Sequence, residues 1–303
     1  MRTADKDRLV VRELVYVWSQ WLALAAVLRG EESLTNEPGL YRVRRRGRED
    51  VDYIGQTGVG IRARVRMLGG VYKPEMPYND PHTAGPALWA LRDGTNCEFD
   101  VSALPVDGVE QWRRGIEAVA IATYRQQHGY SPTCNFGRLP SGYNGSSGNN
   151  RRLVAQGKRV RGGRSSLPHD RHLPGVPPTG PLDGDPVSRE WCGHTWSEWI
   201  VLSDWSVADG VGLYRIRGSA TQGLIYIGQG KIRGRLQAHW RKAVARGSDG
   251  SAQHLAFASA GELEYSYIAG SWLSHQRLEL ETDLIAAHIL SLVFTPPAQF
   301  LGN

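Results

Sequence analysis

The spacing of apolar residues along this chain switches repeatedly between the helical period and the strand period. Residues 9–28 carry apolar groups at helical spacing, with Trp18 and Trp21 on adjacent turns, and predict an amphipathic helix. Thr35, Asn36, Pro38 and Gly39 then mark a turn. GLYRVR and VDYIGQ alternate β-branched and aromatic residues around the polar turn RRGRED, which predicts a hairpin. Gly58 and Gly60 break the strand and open a helix near Ile61. CEFDVSAL at 97–104 reads as a third strand, and residues 109–129 as an amphipathic helix closed by His128 and Gly129.

The same order returns later in the chain. A helix is expected at 194–204, a hairpin at 211–229, a helix from 232, a strand at 263–269 and a helix at 274–293. The letters repeat as well as the pattern. WSQW, GLYRV, DYIGQTG and IRARV in the first half answer WSEW, GLYRI, IYIGQGK and IRGRL in the second. Tyr41 and Tyr53 are 12 residues apart, as are Tyr214 and Tyr226. The helix around Glu117 answers the helix around Glu281. Five blocks in one order, twice, indicate a duplicated domain.

The expected organisation is a first domain at 1–138, a linker at 139–190 and a second domain at 191–303. The linker is rich in Gly, Pro, Ser and Asn and nearly devoid of apolar periodicity. Its first half holds Arg151, Arg152, Lys158, Arg159, Arg161 and Arg164, a basic run that can track a phosphate backbone or serve as a solvated tether. The expected fold class is α+β, each domain a small three-stranded antiparallel sheet flanked by helices.

Composition narrows the picture. A length of 303 residues suits two cores, and 41% hydrophobic with 22% charged residues is ordinary for a soluble protein. A net charge of +6 favours a polyanionic partner without specifying one. Cys97, Cys134 and Cys192 lie far apart, with no CxxC pair, so reduced thiols are expected rather than a zinc ribbon or a disulfide framework. The charged N-terminus has no apolar signal region, and the longest apolar stretch, WLALAAVL, is too short for a bilayer. A cytoplasmic protein without a membrane partner is expected.

Gly39-Leu40-Tyr41 with Tyr53-Ile54-Gly55, and Gly212-Leu213-Tyr214 with Tyr226-Ile227-Gly228, resemble the paired signature of the GIY-YIG nuclease superfamily. This superfamily includes homing endonucleases, repair incision subunits, junction resolvases and some restriction enzymes. The resemblance covers roughly 35–138 and 208–303. It implies a metal-dependent endonuclease acting on double-stranded DNA, with two catalytic sets. These are Tyr41, Tyr53, Arg64, Glu117 and Asn135 in the first copy, and Tyr214, Tyr226, Arg235, His239 and Glu281 in the second.

The chemistry asks for these types. Phosphodiester hydrolysis needs an activated water, a cation and a positioned positive side chain. Mg²⁺ (or Mn²⁺) often takes a single protein carboxylate and keeps its waters, which Glu117 and Glu281 would supply. Either glutamate alone would read as an ordinary surface residue; the repeat argues otherwise. Arginine forks across two phosphate oxygens and keeps its charge, a role for Arg64 and Arg235, with Arg62, Arg233 and Lys242 as further phosphate contacts. A tyrosine hydroxyl that is held and lowered in pKa can move a proton. The tryptophans of WSQW and WSEW are expected to be core anchors.

The two copies depart from the family pattern differently. Some members carry a histidine one turn after the arginine; His239 follows Arg235 in this way, but Leu68 stands after Arg64. His82 either compensates from its loop or is an ordinary residue. The family asparagine is matched by Asn135, 18 residues after Glu117; the same offset from Glu281 lands on Gln299, with Asn303 further on. The leading expectation is a restriction, defence or repair nuclease whose tandem domains act as a pseudo-dimer within one chain. The rivals are a DNA-binding protein with one or both domains inactive, and a reaction on a small molecule using the same scaffold.

Overall fold

A computed structural model describes residues 7–204, 209–244 and 250–301. The protein is α+β with several small antiparallel sheets, and packing divides it into two units that interleave along the chain. One comprises Met1–Gly108 and Ser131–Pro174, the other Val109–Tyr130 and Gly175–Asn303.

The first unit begins with a hairpin, β1 (Arg8–Val11) and β2 (Leu14–Val17), then the short β3 (Leu22–Ala23) and α1 (Leu24–Arg29). The signature hairpin is β4 (Gly39–Arg45) and β5 (Val51–Thr57), followed by α2 (Ile61–Arg66) and a tighter helical turn at Met67–Tyr72. α3 (Gly85–Thr95) and β6 (Phe99–Pro105) complete the sheet, in the order β3-β6-β4-β5. Next in the chain, α4 (Glu110–His128) belongs to the second unit; the first resumes with β7 (Tyr143–Asn144), α5 (Arg151–Ala155) and β8 (Gly163–Arg164). Its core joins Ile61, Val65 and Leu68 to Leu88, Phe99 and Val101.

In the second unit, β9 (Glu190–Trp191) pairs with β10 (His194–Thr195), and β11 (Ile200–Val201) edges the main sheet. The signature hairpin is β12 (Val211–Gly218) and β13 (Tyr226–Lys231), followed by α6 (Ile232–Val244), α7 (Ala252–Ala258), β14 (Leu263–Ala269) and α8 (Ser274–Leu292). The sheet order β11-β14-β12-β13 reproduces that of the first unit. Its core gathers Ile216, Ile225, Ile232, Leu236, Phe257 and Tyr265.

Three expectations need correction. The main sheet of each unit has four strands, because a two-residue edge strand, β3 or β11, adds to the three expected. The helix expected at 9–28 is helical only over Leu24–Arg29, where Gly30 at φ 83 caps it. Residues 8–11 alternate exposed and buried, the strand period, and Arg12 at φ 51 turns the chain back. The helix expected at 194–204 is likewise extended.

The Trp-Ser-x-Trp segments explain both failures. Ser19 donates its amide to the Ala103 carbonyl (2.7 Å), and its hydroxyl accepts from the Ala103 amide (2.9 Å). Ser197 makes the same pair of contacts with Tyr267, at 3.1 and 3.0 Å. A side chain that bonds a neighbouring strand holds its own backbone out of a helix. The tryptophans then clasp arginines rather than filling a purely apolar core. The Arg42 guanidinium sits 4.6 and 4.4 Å from the Trp18 and Trp21 rings, and that of Arg215 sits 4.3 and 4.7 Å from Trp196 and Trp199.

The expected boundaries also shift. Residues 139–174 fold against the first unit through polar contacts that leave no apolar period: Tyr143 bonds Asp93 at 2.7 Å, and Asn79 bonds the Ser146 carbonyl at 2.8 Å. α4 packs along α8 so closely that a Cβ on Gly115 would fall 2.8 Å from Ile289 Cδ1. Among the described residues, no helix is long and apolar enough to cross a membrane.

Candidate active site

The two signature hairpins pair in one register: Tyr41 lies opposite Gly55, and Tyr214 opposite Gly228. This register explains the glycines. A Cβ on Gly55 would stand 2.7 Å from the Tyr53 hydroxyl and 2.9 Å from that of Tyr41, while one on Gly228 would overlap the Tyr214 ring. At the other end of the motif, a Cβ on Gly39 or Gly212 would meet the carbonyl of Leu104 or Ile268 on the neighbouring strand. The tripeptides are therefore steric requirements for placing two tyrosines side by side.

In the second unit the candidates converge. The Tyr214 and Tyr226 rings stack at 6.1 Å, and the His239 ring lies 4.4 Å from Tyr226. His239 Nε2 and the Tyr214 hydroxyl share a hydrogen bond of 2.9 Å. Burial, with Lys242 and Arg235 nearby, pulls His239 down to about 3, so the imidazole is neutral at physiological pH. Burial raises both tyrosines above their ordinary range, and the Glu281 charge adds to this in each. Their pKa values are thus raised where lowering was expected, so the hydroxyls are protonated and able to donate.

Glu281 is half-buried on α8. Desolvation pushes its carboxyl up to about 7, opposed by Arg235, which starts the second turn of α6 and is exposed. Glu279 and Asp283 lie two residues to either side, about 200° away around the helix. They face Arg125 of α4: Asp283 takes a bidentate pair at 2.8 and 3.0 Å, and Glu279 lies at 3.5 Å. One helix thus divides its acids between a structural pair and a lone carboxylate beside the tyrosines.

Among the described residues no set of three His, Cys, Asp or Glu gathers as a ligand cage. The donors at this site are a carboxylate and phenolic hydroxyls, with the imidazole engaged by Tyr214. Such a set suits a hard cation that keeps most of its waters, and not one that needs thiolates or several imidazoles.

The first unit builds the same cluster from a different element. Tyr41 and Tyr53 lie 5.9 Å apart, and His82, on the loop before α3, bonds the Tyr41 hydroxyl at 2.6 Å. Burial and Arg64 hold His82 at about 3. The Ala84 amide donates to its Nδ1 at 3.1 Å, so the ring proton of the neutral imidazole sits on Nε2, which donates to Tyr41. Arg64 is anchored on the Pro81 carbonyl at 2.6 Å, next to this histidine. Leu68, at the helical position of His239, is fully buried core. Glu117 lies half-buried on α4, the helix that packs within the second unit.

Asn135 and Gln299 have one task. Asn135 Oδ1 accepts from the Ile54 amide (2.9 Å) and Nδ2 donates to the Ile54 carbonyl (2.8 Å). Gln299 Oε1 accepts from the Ile227 amide at 3.0 Å. Both are buried and clamp the middle residue of the second tripeptide, so they position the strand rather than face a reacting group. Asn303 lies outside the described residues.

The expected phosphate contacts are divided. Arg62 is spent on the Leu34 carbonyl at 2.8 Å, Arg233 pairs with Asp209 at 3.1 Å, and Lys242 bonds Gln253. Arg151, Arg152, Lys158, Arg159 and Arg161 are exposed on the segment that folds onto the first unit. The sequence gives no spacing rule that would find His82, because a loop has no period; its only cue was the missing histidine after Arg64. In comparisons with known proteins, no family model, no curated protein and no solved structure matches the chain.

Proposed function

We propose that the protein is a GIY-YIG-type, metal-dependent endonuclease that hydrolyses phosphodiester bonds of double-stranded DNA, with each unit carrying one tyrosine–histidine centre. The observation that carries this reading is the convergence of Tyr214, Tyr226, Arg235, His239 and Glu281 from two strands and two helices. In this reading Glu281 holds Mg²⁺ or Mn²⁺ in the second unit, and Glu117 is its counterpart by sequence. The cation would neutralise charge on the scissile phosphate and acidify a bound water. Arg235 and Arg64 would grip phosphate oxygens, and Tyr214 and Tyr41, each hydrogen-bonded to a neutral histidine, would orient the attacking water. Three unpaired thiols fit a reducing compartment such as the cytoplasm.

Supercoiled plasmid incubated with Mg²⁺ or Mn²⁺ provides the test. The expected outcome is nicked and then linear DNA, loss of linear product in Glu117→Gln or Glu281→Gln, and loss of all cleavage in the double variant. A wild-type protein that leaves plasmid intact with either metal, or a double variant that still cuts, overturns the reading. Binding without cutting would mark a DNA-binding protein built on the same scaffold.

A further inference from the structure

A cavity of about 730 Å³ opens in the first unit next to His82. Its floor is apolar: Leu68, Val71, Pro77 and Pro81, with Gly69, Gly70 and Gly85 keeping the walls thin. Its rim is basic, carrying Arg66, Lys73 and Arg161. Arg161 arrives from the 139–174 segment, where its guanidinium bonds the Met76 carbonyl at 2.9 Å and lies 4.5 Å from the Tyr78 ring. Arg159 lies over the same ring at 4.3 Å. Glu75 and Asp80 are also at the rim, but each is engaged: Glu75 pairs with Arg161 at 3.3 Å, and Asp80 accepts from the Asn149 amide at 2.6 Å. Arg66 and Lys73 make no ion pair among the described residues.

We infer that this cavity is a nucleotide subsite, taking one unstacked 5′-nucleotide of the DNA with its base against the apolar floor and its phosphate between Arg66 and Lys73. The inference rests on the nuclease reading for its biological setting, but not for its chemistry. The volume lies inside the range of about 300–1,000 Å³ usual for small-ligand pockets. An apolar slot with a cationic rim matches a nucleotide, whose base has flat apolar faces and whose phosphate is anionic. Guanidinium planes such as those of Arg159 and Arg161 also form surfaces on which bases stack. Enzymes that extrude a nucleotide hold it in a pocket of this kind. His82 lines the cavity and holds Tyr41, so an occupied subsite would sit against the tyrosine pair.

The site has no counterpart expected from the repeat. In the second unit the histidine comes from within α6, and seven residues (245–251) separate that helix from α7, against twelve (73–84) between the Met67–Tyr72 turn and α3 in the first. The subsite therefore gives the first unit a recognition function that duplication did not supply.

Titration of the metal-free protein with each of the four 5′-deoxynucleoside monophosphates, and with inorganic phosphate as the comparison, tests this by calorimetry or NMR. At least one nucleotide is expected to bind saturably and about tenfold more tightly than phosphate alone, a difference that measures the base. Arg66→Glu and Lys73→Glu, both at exposed positions that tolerate reversal, are expected to weaken it by at least about tenfold each, while Glu281→Gln leaves it unchanged. No saturable binding at millimolar nucleotide, equal binding of phosphate, or undiminished binding by both reversed variants overturns the subsite. Nucleotide binding with no plasmid cleavage would defeat the nuclease reading and leave the subsite standing. Cleavage without nucleotide binding would do the reverse.

Discussion

Glu281 owes its behaviour to where α8 puts it. A carboxyl held at about 7 in the folded protein and at its ordinary 4.5 when unfolded binds an extra proton in the folded state between those values. Folded stability therefore falls as pH rises from 4.5 towards 7, and the charged form at pH 8 carries the whole cost. Glu281→Gln removes that cost. The metal-free variant is expected to be more stable than the wild type at pH 8 by about 1–3 kcal/mol, discounted for partial exposure, and to lose the advantage near pH 4. Thermal or denaturant unfolding at the two pH values measures it. A bound cation stabilises only a protein that can hold it, so Mg²⁺ should raise the melting temperature of the wild type more than that of the variant, which keeps Glu117 alone. A variant less stable than wild type at pH 8 without metal would show that Glu281 is structurally paired.

Elements show how residues acquire such different fates. α8 carries Glu279, Glu281 and Asp283 within five residues, and helical rotation sends the outer two to Arg125 and the middle one to the tyrosines. Breaking the buried pair takes the Arg125 guanidinium from two buried carboxylates. Arg125→Met is expected to cost about 3–5 kcal/mol in a denaturant titration, and Arg125→Met with Glu279→Gln and Asp283→Leu should recover much of it; equal stability of the single variant and the wild type would defeat the argument. The elements also show what the sequence made legible. The hairpins, β6, β14, α4 and α8 stand where their runs of β-branched, aromatic and apolar residues put them, although most of β4, β6 and β12 is buried on both faces rather than alternating. The Trp-Ser-x-Trp segments do not. Their shape depends on a serine meeting a strand 70 residues away in one copy and 84 in the other, a contact no local period contains. The tyrosines, Arg235, His239 and Glu281 were legible through spacing, whereas His82 was not, since it reaches Tyr41 across 41 residues from a loop.

At the scale of the whole molecule, the duplication has kept the tyrosine–histidine pair while changing the element that supplies the histidine. The second copy uses α6; the first fills that position with Leu68 in its core and brings His82 from the loop beside the cavity. Two centres that reach one geometry by different routes are expected to fail independently. His82→Ala and His239→Ala each remove the partner of one tyrosine and leave the other centre intact. On the proposed nuclease reading, each single variant should therefore accumulate nicked circles and form linear DNA slowly, with a loss on the order of 100-fold in the affected strand. End-mapping of the nicks should place them on opposite strands for the two variants. Either variant making linear product at the wild-type rate would mean that its histidine is mere packing. Both variants nicking the same strand would mean that the units do not divide the duplex between them. Because His82 also lines the cavity, His82→Ala is expected to weaken mononucleotide binding, a defect that His239→Ala should not share.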